Sequence, residues 1–199
     1  MPEQLADARQ RRTRAALYQA VLALAADGDP AEISVTALAA SAGVHRSTVY
    51  EHGGSALGVL QRALAEELDA LREVHLRDVP PERTPDALRL VTLGVFAHVD
   101  RHAAVYRNLD AASGATLHAF LSDHFQTSTR LLLAQSSLEL PFQVEGVPTD
   151  RIEDATVRYL ADGVVGLIAA WLHQPEPRDP QVALALLGHL MPAWWPAAG

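Results

Sequence analysis

The sequence predicts an all-α protein, and three observations support that. Apolar residues fill 49% of its 199 positions. Alanine and leucine dominate them, with few β-branched runs, a composition rich in helix formers. Leucines and valines recur three and four residues apart along most of the chain, the period of a helix with one buried face. Prolines and glycines cluster between those runs, where helices stop and start.

Bulk properties narrow the class further. A chain of 199 residues is long enough for one or two domains with a sizeable core. It has no cysteine, which excludes disulfides and cysteine-ligated metals. No stretch approaches eighteen uninterrupted apolar residues, so no membrane span is expected. The opening residues MPEQLADARQRR lack the apolar core of a signal peptide. These readings point to a cytoplasmic protein. The formal charge is -8. Between Arg9 and His52, however, Arg9, Arg11, Arg12, Arg14 and Arg46 face only Asp27, Asp29, Glu32 and Glu51. The acidic excess therefore lies further on, and four of these five arginines sit together near the start.

The first helix is expected over Leu5 to Ala26, with Leu17, Val21 and Leu24 as its inward stripe and Tyr18 beside it. Arg9 to Arg14 form a basic approach, either a solvated terminus or a set of phosphate contacts. Asp27 to Glu32 is a loop. Ser34 to Tyr50 then reads as two short helices joined at Gly43. Val35, Leu38 and Ala39 give the first its apolar face, Ser34 caps it, and Gly43 supplies the left-handed residue that ends it. The second runs from about Arg46 to Tyr50, with Val44 and Val49 turned inward. Such a pair is either a plain helical hairpin or a helix-turn-helix, whose second helix enters the major groove of DNA. On the second reading His45, Arg46, Ser47 and Thr48 face the bases. Arg46 suits guanine or phosphate, and the hydroxyls of Ser47, Thr48 and Tyr50 suit phosphate.

The stretch from about Thr13 to Leu60 resembles the N-terminal domain of the TetR family of bacterial transcriptional repressors. The resemblance rests on Thr13-Arg14, Asp27-Gly28, Val35, Leu38-Ala39, Ala42-Gly43-Val44 and Ser47-Thr48-Val49-Tyr50-Glu51-His52. It covers about a quarter of the chain, although chain length and the helical remainder are also similar to the family. It implies DNA binding by Arg14, Ser34, His45, Arg46, Ser47, Thr48, Tyr50 and His52. The family continues with a phenylalanine that packs the small domain and a lysine that touches phosphate. Here Gly53 and Ala56 stand at those places, which bears on affinity more than on fold.

Gly53-Gly54 ends the second helix and Ser55 caps a long one, Ala56 to about Leu76, with Leu57, Leu60, Leu64, Leu68 and Leu71 in helical register. Gly58 within it costs roughly 1 kcal/mol against alanine. By the resemblance, movement of such a helix carries a ligand signal to the head. Asp78 to Pro85 is a connector, and Thr84-Pro85 reads as a cap with proline at the first helical position. A helix to about Asp100 follows, then a short one over Arg101 to Leu109. Asp110 to Gly114 reads as a break, and Thr116 to Gln135 as another long helix. Ser136 to Thr149 is irregular, and its Phe142 and Val144 cover either a pocket mouth or the core.

Asp150 to His173 and a last helix from Pro180 to near Pro192, capped by Asp179, are apolar on more than one face. Gly163 and Gly166 permit close approach of another helix. Burial on all sides requires either one monomeric core or pairing with the same two helices of a second subunit in a four-helix bundle. The second arrangement, a homodimer through the last two helices, also explains recognition of a palindromic double-stranded DNA operator.

Chemistry-bearing motifs are sparse. GxGxxG, P-loop and HExxH patterns are absent, and Gly114-Ala115-Thr116 makes no phosphate loop. His98 and His102, four apart, could share a metal with His118 or His124, or could be satisfied or exposed histidines. No enzyme activity, cofactor or metal is expected. Phe96, Val99, Tyr106, Leu117, Phe120, Leu121, Phe125 and Trp171 either fill the core or line an apolar pocket, with His98, Arg107, Asn108 or His124 as polar handles. By the resemblance such a pocket would hold a small hydrophobic or amphipathic effector. The expectation is a head at 1–54 and a ligand and dimer domain at 55–199, forming a ligand-responsive regulator, in the first place a repressor. The alternative is an all-helical small-molecule binding or interaction protein with weakened DNA affinity.

Overall fold

Eight α-helices and two 3₁₀ turns make up the computed structural model, which describes residues 2–196; the side chains of residues 2–7 and 111–115 lie outside the description. The helices are α1 (Pro2–Asp27), α2 (Val35–Ala42), α3 (Arg46–Gly53), α4 (Ala56–Leu76), α5 (Thr84–Arg101), α6 (Ala103–Ala134), α7 (Thr149–Leu172) and α8 (Pro180–Leu190). The 3₁₀ turns are Pro30–Glu32 and Pro81–Arg83. The first of these forms in the stretch expected to be loop, because Asp29 accepts from the Ala31 amide and Pro30 fits the first helical position.

By its internal contacts the chain divides into two units: Met1–Glu66 with His102–Thr116, and Glu67–Arg101 with Leu117–Gly199. The sequence places its boundary between residues 54 and 55. In the structure the first half of α4 and the start of α6 also belong to the first unit.

In the first unit, Leu17, Val21 and Ala25 of α1 are buried together with Leu38 and Ala39 of α2, Val49 of α3, and Leu60 and Leu64 of α4. Each fully buried leucine or valine contributes about 1.5–3 kcal/mol relative to exposure. That burial matters most for α2 and α3, eight residues each. Helices so short are marginal in isolation and depend on packing. Asn108 of α6 donates to the carbonyl oxygens of Ala25 (2.8 Å) and Ala26 (3.2 Å), covering the open end of α1.

In the second unit, Val95, Phe96 and Val99 of α5, Leu121 and Leu132 of α6, Leu160, Val165, Ile168 and Trp171 of α7, and Leu187 of α8 are buried. Phe96 and Trp171 meet edge to face with ring centroids 5.0 Å apart. Leu138 from the segment after α6 joins Leu76, Ala87 and Leu132 in one cluster, against which Trp194 and Trp195 pack. Among the described residues, α7 is long and apolar enough, by length and composition alone, to cross a membrane. Ile152, Val157, Leu160, Ala161, Val165 and Ile168 nevertheless lie in the core of this unit.

Two sequence expectations are corrected. The break at Asp110 to Gly114 does not form, and α6 runs unbroken from Ala103 to Ala134. The stretch has alanines and no proline, and a single glycine costs only about 1 kcal/mol in a helix. Thr84 does not cap α5. It is the first helical residue, buried, and its hydroxyl donates to the Ser137 carbonyl at 3.0 Å. This bond ties the start of α5 to the segment after α6.

Candidate DNA-binding and ligand-binding sites

The first candidate site is built by caps and turns. The Ser34 hydroxyl accepts from the Ala37 amide at 3.0 Å and opens α2. Gly43 ends it at φ +65°, where its own amide and that of Val44 return to the carbonyls of Ala40 and Ala39. His45 is then extended, and α3 begins at Arg46. Val49 is the buried residue of α3, which turns Arg46, Ser47, Tyr50 and Glu51 outward. His45 is also exposed, and Tyr50 is 59% exposed. Thr48 and His52 are half-buried along the flank. The helix extends through Gly53, three residues beyond the expected Tyr50, and stops where Gly54 turns to φ +71°. The outward surface is thus a row of hydrogen-bonding side chains and one arginine on a helix of two turns.

Arg14 occupies a different setting from the others. Its guanidinium lies 3.3 Å from the Glu66 carboxylate, with both side chains about half exposed. Tyr18 shares Glu66, and burial followed by that carboxylate raises the phenol above its ordinary pKa. An exposed pair of this kind is worth roughly 0–1 kcal/mol, so Glu66 orders Arg14 weakly.

Gly53 and Ala56 replace bulk with close approach. Ala56 is buried. The Ser55 hydroxyl accepts from the Gly58 amide at 3.0 Å, which is the expected cap of α4. The backbones at Gly53 and Gly58 meet directly, as a Cβ on either would collide with the other segment.

The second candidate site is a cavity within the second unit. The centre of a water molecule can occupy about 80 Å³ of it. Its walls are Leu88, Val91, Thr92, Val95 and Phe96 of α5, His124, Phe125, Ser128, Thr129 and Leu132 of α6, and Leu160, Ala161, Val164 and Ile168 of α7. Leu76, Leu187, Met191 and Trp195 complete it. Of the residues singled out in the sequence, Phe96, Phe125 and His124 line this space. Val99, Leu117, Leu121 and Trp171 are buried in the same unit away from it, Phe120 is half-buried, and Tyr106 is buried in the first unit. Periodicity marks which helix face turns inward but not where two inward faces fail to fill the space between them. The sequence reading therefore missed α8 and Trp195 as lining. Their only sequence signal was the apolar run after Pro180.

His124 is the most polar group of the wall. Its Nδ1 lies 3.4 Å from Nη1 of Arg72 and 3.5 Å from Oδ1 of Asp69. Burial, reinforced by the Arg72 guanidinium, pushes the imidazole down to about 4. The other histidines weighed as ligands within this unit have partners of their own. His98 Nδ1 lies 3.1 Å from Glu67, and His118 Nε2 lies 3.0 Å from Asp162.

No protein-family model matches the sequence, and no curated protein matches it. Solved structures do match the fold. The crystal structure of a TetR-family transcriptional regulator from Streptomyces coelicolor aligns with a TM-score of 0.58 at 21% identity, covering 88% of this chain and 79% of that one. A TetR transcriptional regulator from Streptococcus agalactiae 2603V aligns with a TM-score of 0.60 at 18% identity, covering 93% and 96%. The TetR-family repressor AlkX from Dietzia sp. strain DQ12-45-1b, implicated in biodegradation of n-alkanes, aligns at 0.55 and 19%, covering 94% and 97%. The chain therefore has the fold seen in TetR-family regulators: all-α, with an N-terminal helix-turn-helix-like bundle and a larger C-terminal helical domain.

Proposed function

We propose that this protein is a homodimeric, ligand-responsive DNA-binding regulator of transcription, with its DNA-binding head in residues 1–54. The observation that carries the reading is the outward face of α3. His45, Arg46, Ser47 and Tyr50 are exposed on a short helix held behind a glycine turn by Val49, the arrangement that places a recognition helix in the major groove. Phosphate contacts would come from Arg14, Ser34, Thr48 and His52, with the basic run from Arg9 adding non-specific affinity. The fold shared with structures of regulators supports the same assignment, and AlkX, a repressor by description, supports the sign of action.

The dimer reading rests on α7 and α8. Tyr159, Val182, Leu186 and Leu190 are exposed, and a Cβ on Gly163 or Gly166 would meet nothing within 4 Å. An outward row of small and apolar residues is the surface that a second copy of the same two helices would cover. The apolar cavity is the place for a small effector, whose binding would favour a dimer geometry that no longer fits the operator.

A second reading is favoured by two observations. Ala56 is buried where the family has a phosphate-contacting lysine, and Arg14 is engaged by Glu66. On that reading the protein binds a small molecule and has weak DNA affinity. A binding titration against DNA flanking its own gene, at several salt concentrations, separates the two. The regulator reading requires one segment bound at least about a thousandfold more tightly than unrelated DNA of equal length. Equal affinity for all segments supports the second reading.

A further inference from the structure

Resting on the reading of the second unit as the ligand-sensing part, we propose that its cavity selects an uncharged apolar molecule carrying one hydroxyl, held at His124 between Ser128 and Thr129.

Apart from His124, no ionisable side chain lines the cavity. Arg72, the cation beside His124, is already hydrogen-bonded to Asp69. A carboxylate or ammonium group drawn into this space would be a buried charge without a counter-ion, which is strongly unfavourable.

Thr92 of α5 adds a hydroxyl that can donate or accept, and the polar groups of α6 define the head group. Ser128 donates its hydroxyl proton to the His124 carbonyl at 3.1 Å, and Thr129 donates to the Phe125 carbonyl at 3.0 Å. Both protons are committed to the helix, so these hydroxyls offer lone pairs to a guest and require a donor from it. His124 is neutral and carries one ring proton. Its Nδ1 lies 3.4 Å from the guanidinium of Arg72, a group with donors only, and 3.5 Å from the carboxylate of Asp69, which already accepts from the same Arg72. We assign Nδ1 as the acceptor from Arg72, the nearer of its two neighbours, which puts the proton on Nε2 and asks an acceptor of the guest. A hydroxyl satisfies both demands at once. A carboxylate offers no donor to Ser128 or Thr129, an ether offers none either, and a hydrocarbon satisfies neither side. The remaining wall, from Val91 and Phe96 across to Ile168, takes the apolar body.

The test uses the full-length protein and no DNA. Calorimetry at about pH 8, where a carboxylic acid is ionised and His124 is neutral, compares n-hexanol with its isomer methyl pentyl ether, with hexanoate and with hexylammonium. Quenching or shift of tryptophan emission, with Trp195 in the wall, gives a second readout. The expected order places hexanol roughly tenfold tighter than the ether, the worth of one hydrogen bond. Both ions should bind about a hundredfold more weakly than hexanol or not at all. His124→Phe, checked for folding by circular dichroism, should weaken hexanol and the ether alike by roughly tenfold, the worth of the lost Nε2–H bond, and leave hexanol the tighter of the two. The assignment is overturned if hexanoate or hexylammonium binds as tightly as hexanol, if the ether equals the alcohol, if folded His124→Phe binds hexanol as tightly as the native protein, or if no probe binds. A parallel DNA titration reports on the regulatory reading separately. Selective hexanol binding that leaves DNA affinity unchanged sinks ligand-responsive regulation while the ligand class stands.

Discussion

Gly58 at the start of α4 touches the backbone of Gly53 at the end of α3: a Cβ on Gly58 would lie 2.1 Å from the Gly53 carbonyl oxygen. A Cβ on Gly53 would lie 2.5 Å from the Val59 amide nitrogen. These two glycines set α3 directly against the first turn of α4, at the place where the resembled family has a packing phenylalanine and this sequence has Gly53. Helix propensity alone predicts that Gly58→Ala stabilises the protein by about 1 kcal/mol. The contact reverses the sign, because the obstruction is backbone and cannot move aside as a side chain can. Gly58→Ala should lower stability by about 1–3 kcal/mol in urea denaturation. An increase would mean that the two segments separate at little cost.

Arg46 is exposed at the first position of α3. On the proposed function, Arg46→Ala should weaken binding to a specific DNA segment by about 1–3 kcal/mol while leaving the melting temperature unchanged. Fluorescence anisotropy at one fixed salt concentration measures it. Unaltered affinity would remove Arg46 from the interface.

Gly166 is a probe of assembly because the single subunit has room for a side chain there. Gly166→Leu should leave the fold intact, with a gain of up to about 1 kcal/mol from helix propensity. Sedimentation velocity should nevertheless show a shift from dimer to monomer. A dimer of unchanged stability would place the subunit contact on another face.

Arg178 is nearly fully buried, whereas its partner Asp100 is 41% exposed. Its Nε donates to Asp100 Oδ1 at 2.9 Å, Glu176 lies 3.2 Å from Nη2, and the guanidinium carbon sits 5.4 Å from the Trp171 ring centre. The two ends of the pair are therefore not equivalent. Arg178→Met keeps the apolar stem and lets Asp100 return to water, for a loss of about 1–3 kcal/mol. Asp100→Ala leaves a buried cation short of its main partner and should cost more, toward about 3–5 kcal/mol. Equilibrium unfolding that ranks the two the other way round contradicts this account.

His124 links stability to pH. Its folded pKa, lowered to about 4 by burial and then by Arg72, lies below the unfolded value near 6.5. Below 6.5 the unfolded chain binds the proton first. The stability is full above that value and is lost as pH falls toward 4, by at most about 1.4 kcal/mol per pH unit from this residue. Subtracting the urea profile of His124→Phe from that of the native sequence, between pH values of about 7.5 and 4.5, isolates the effect. A flat difference curve would place the imidazole in water.

Residue order alone determines the local features of this protein. Ser34, Ser55 and Asp179 cap the helices they were expected to cap, Gly43 takes the left-handed turn, and α4 spans the expected Ala56–Leu76. These follow from interactions within four residues, which a sequence displays directly. The unbroken α6 shows where such reading ends: alanines and one glycine are compatible with a helix or a break, and packing of the flanks decides.

Tertiary structure alone decided the rest. Thr84 turned from a cap into a bond to Ser137, 53 residues away. Phe96 and Phe125 reached a cavity while Val99, Leu121 and Trp171 filled the core beside it. Apolar periodicity states that a residue faces inward. Whether it meets another side chain or an open space depends on the separation of helices far apart in sequence, and so do the neutral state of His124 and the commitment of the hydroxyls beside it.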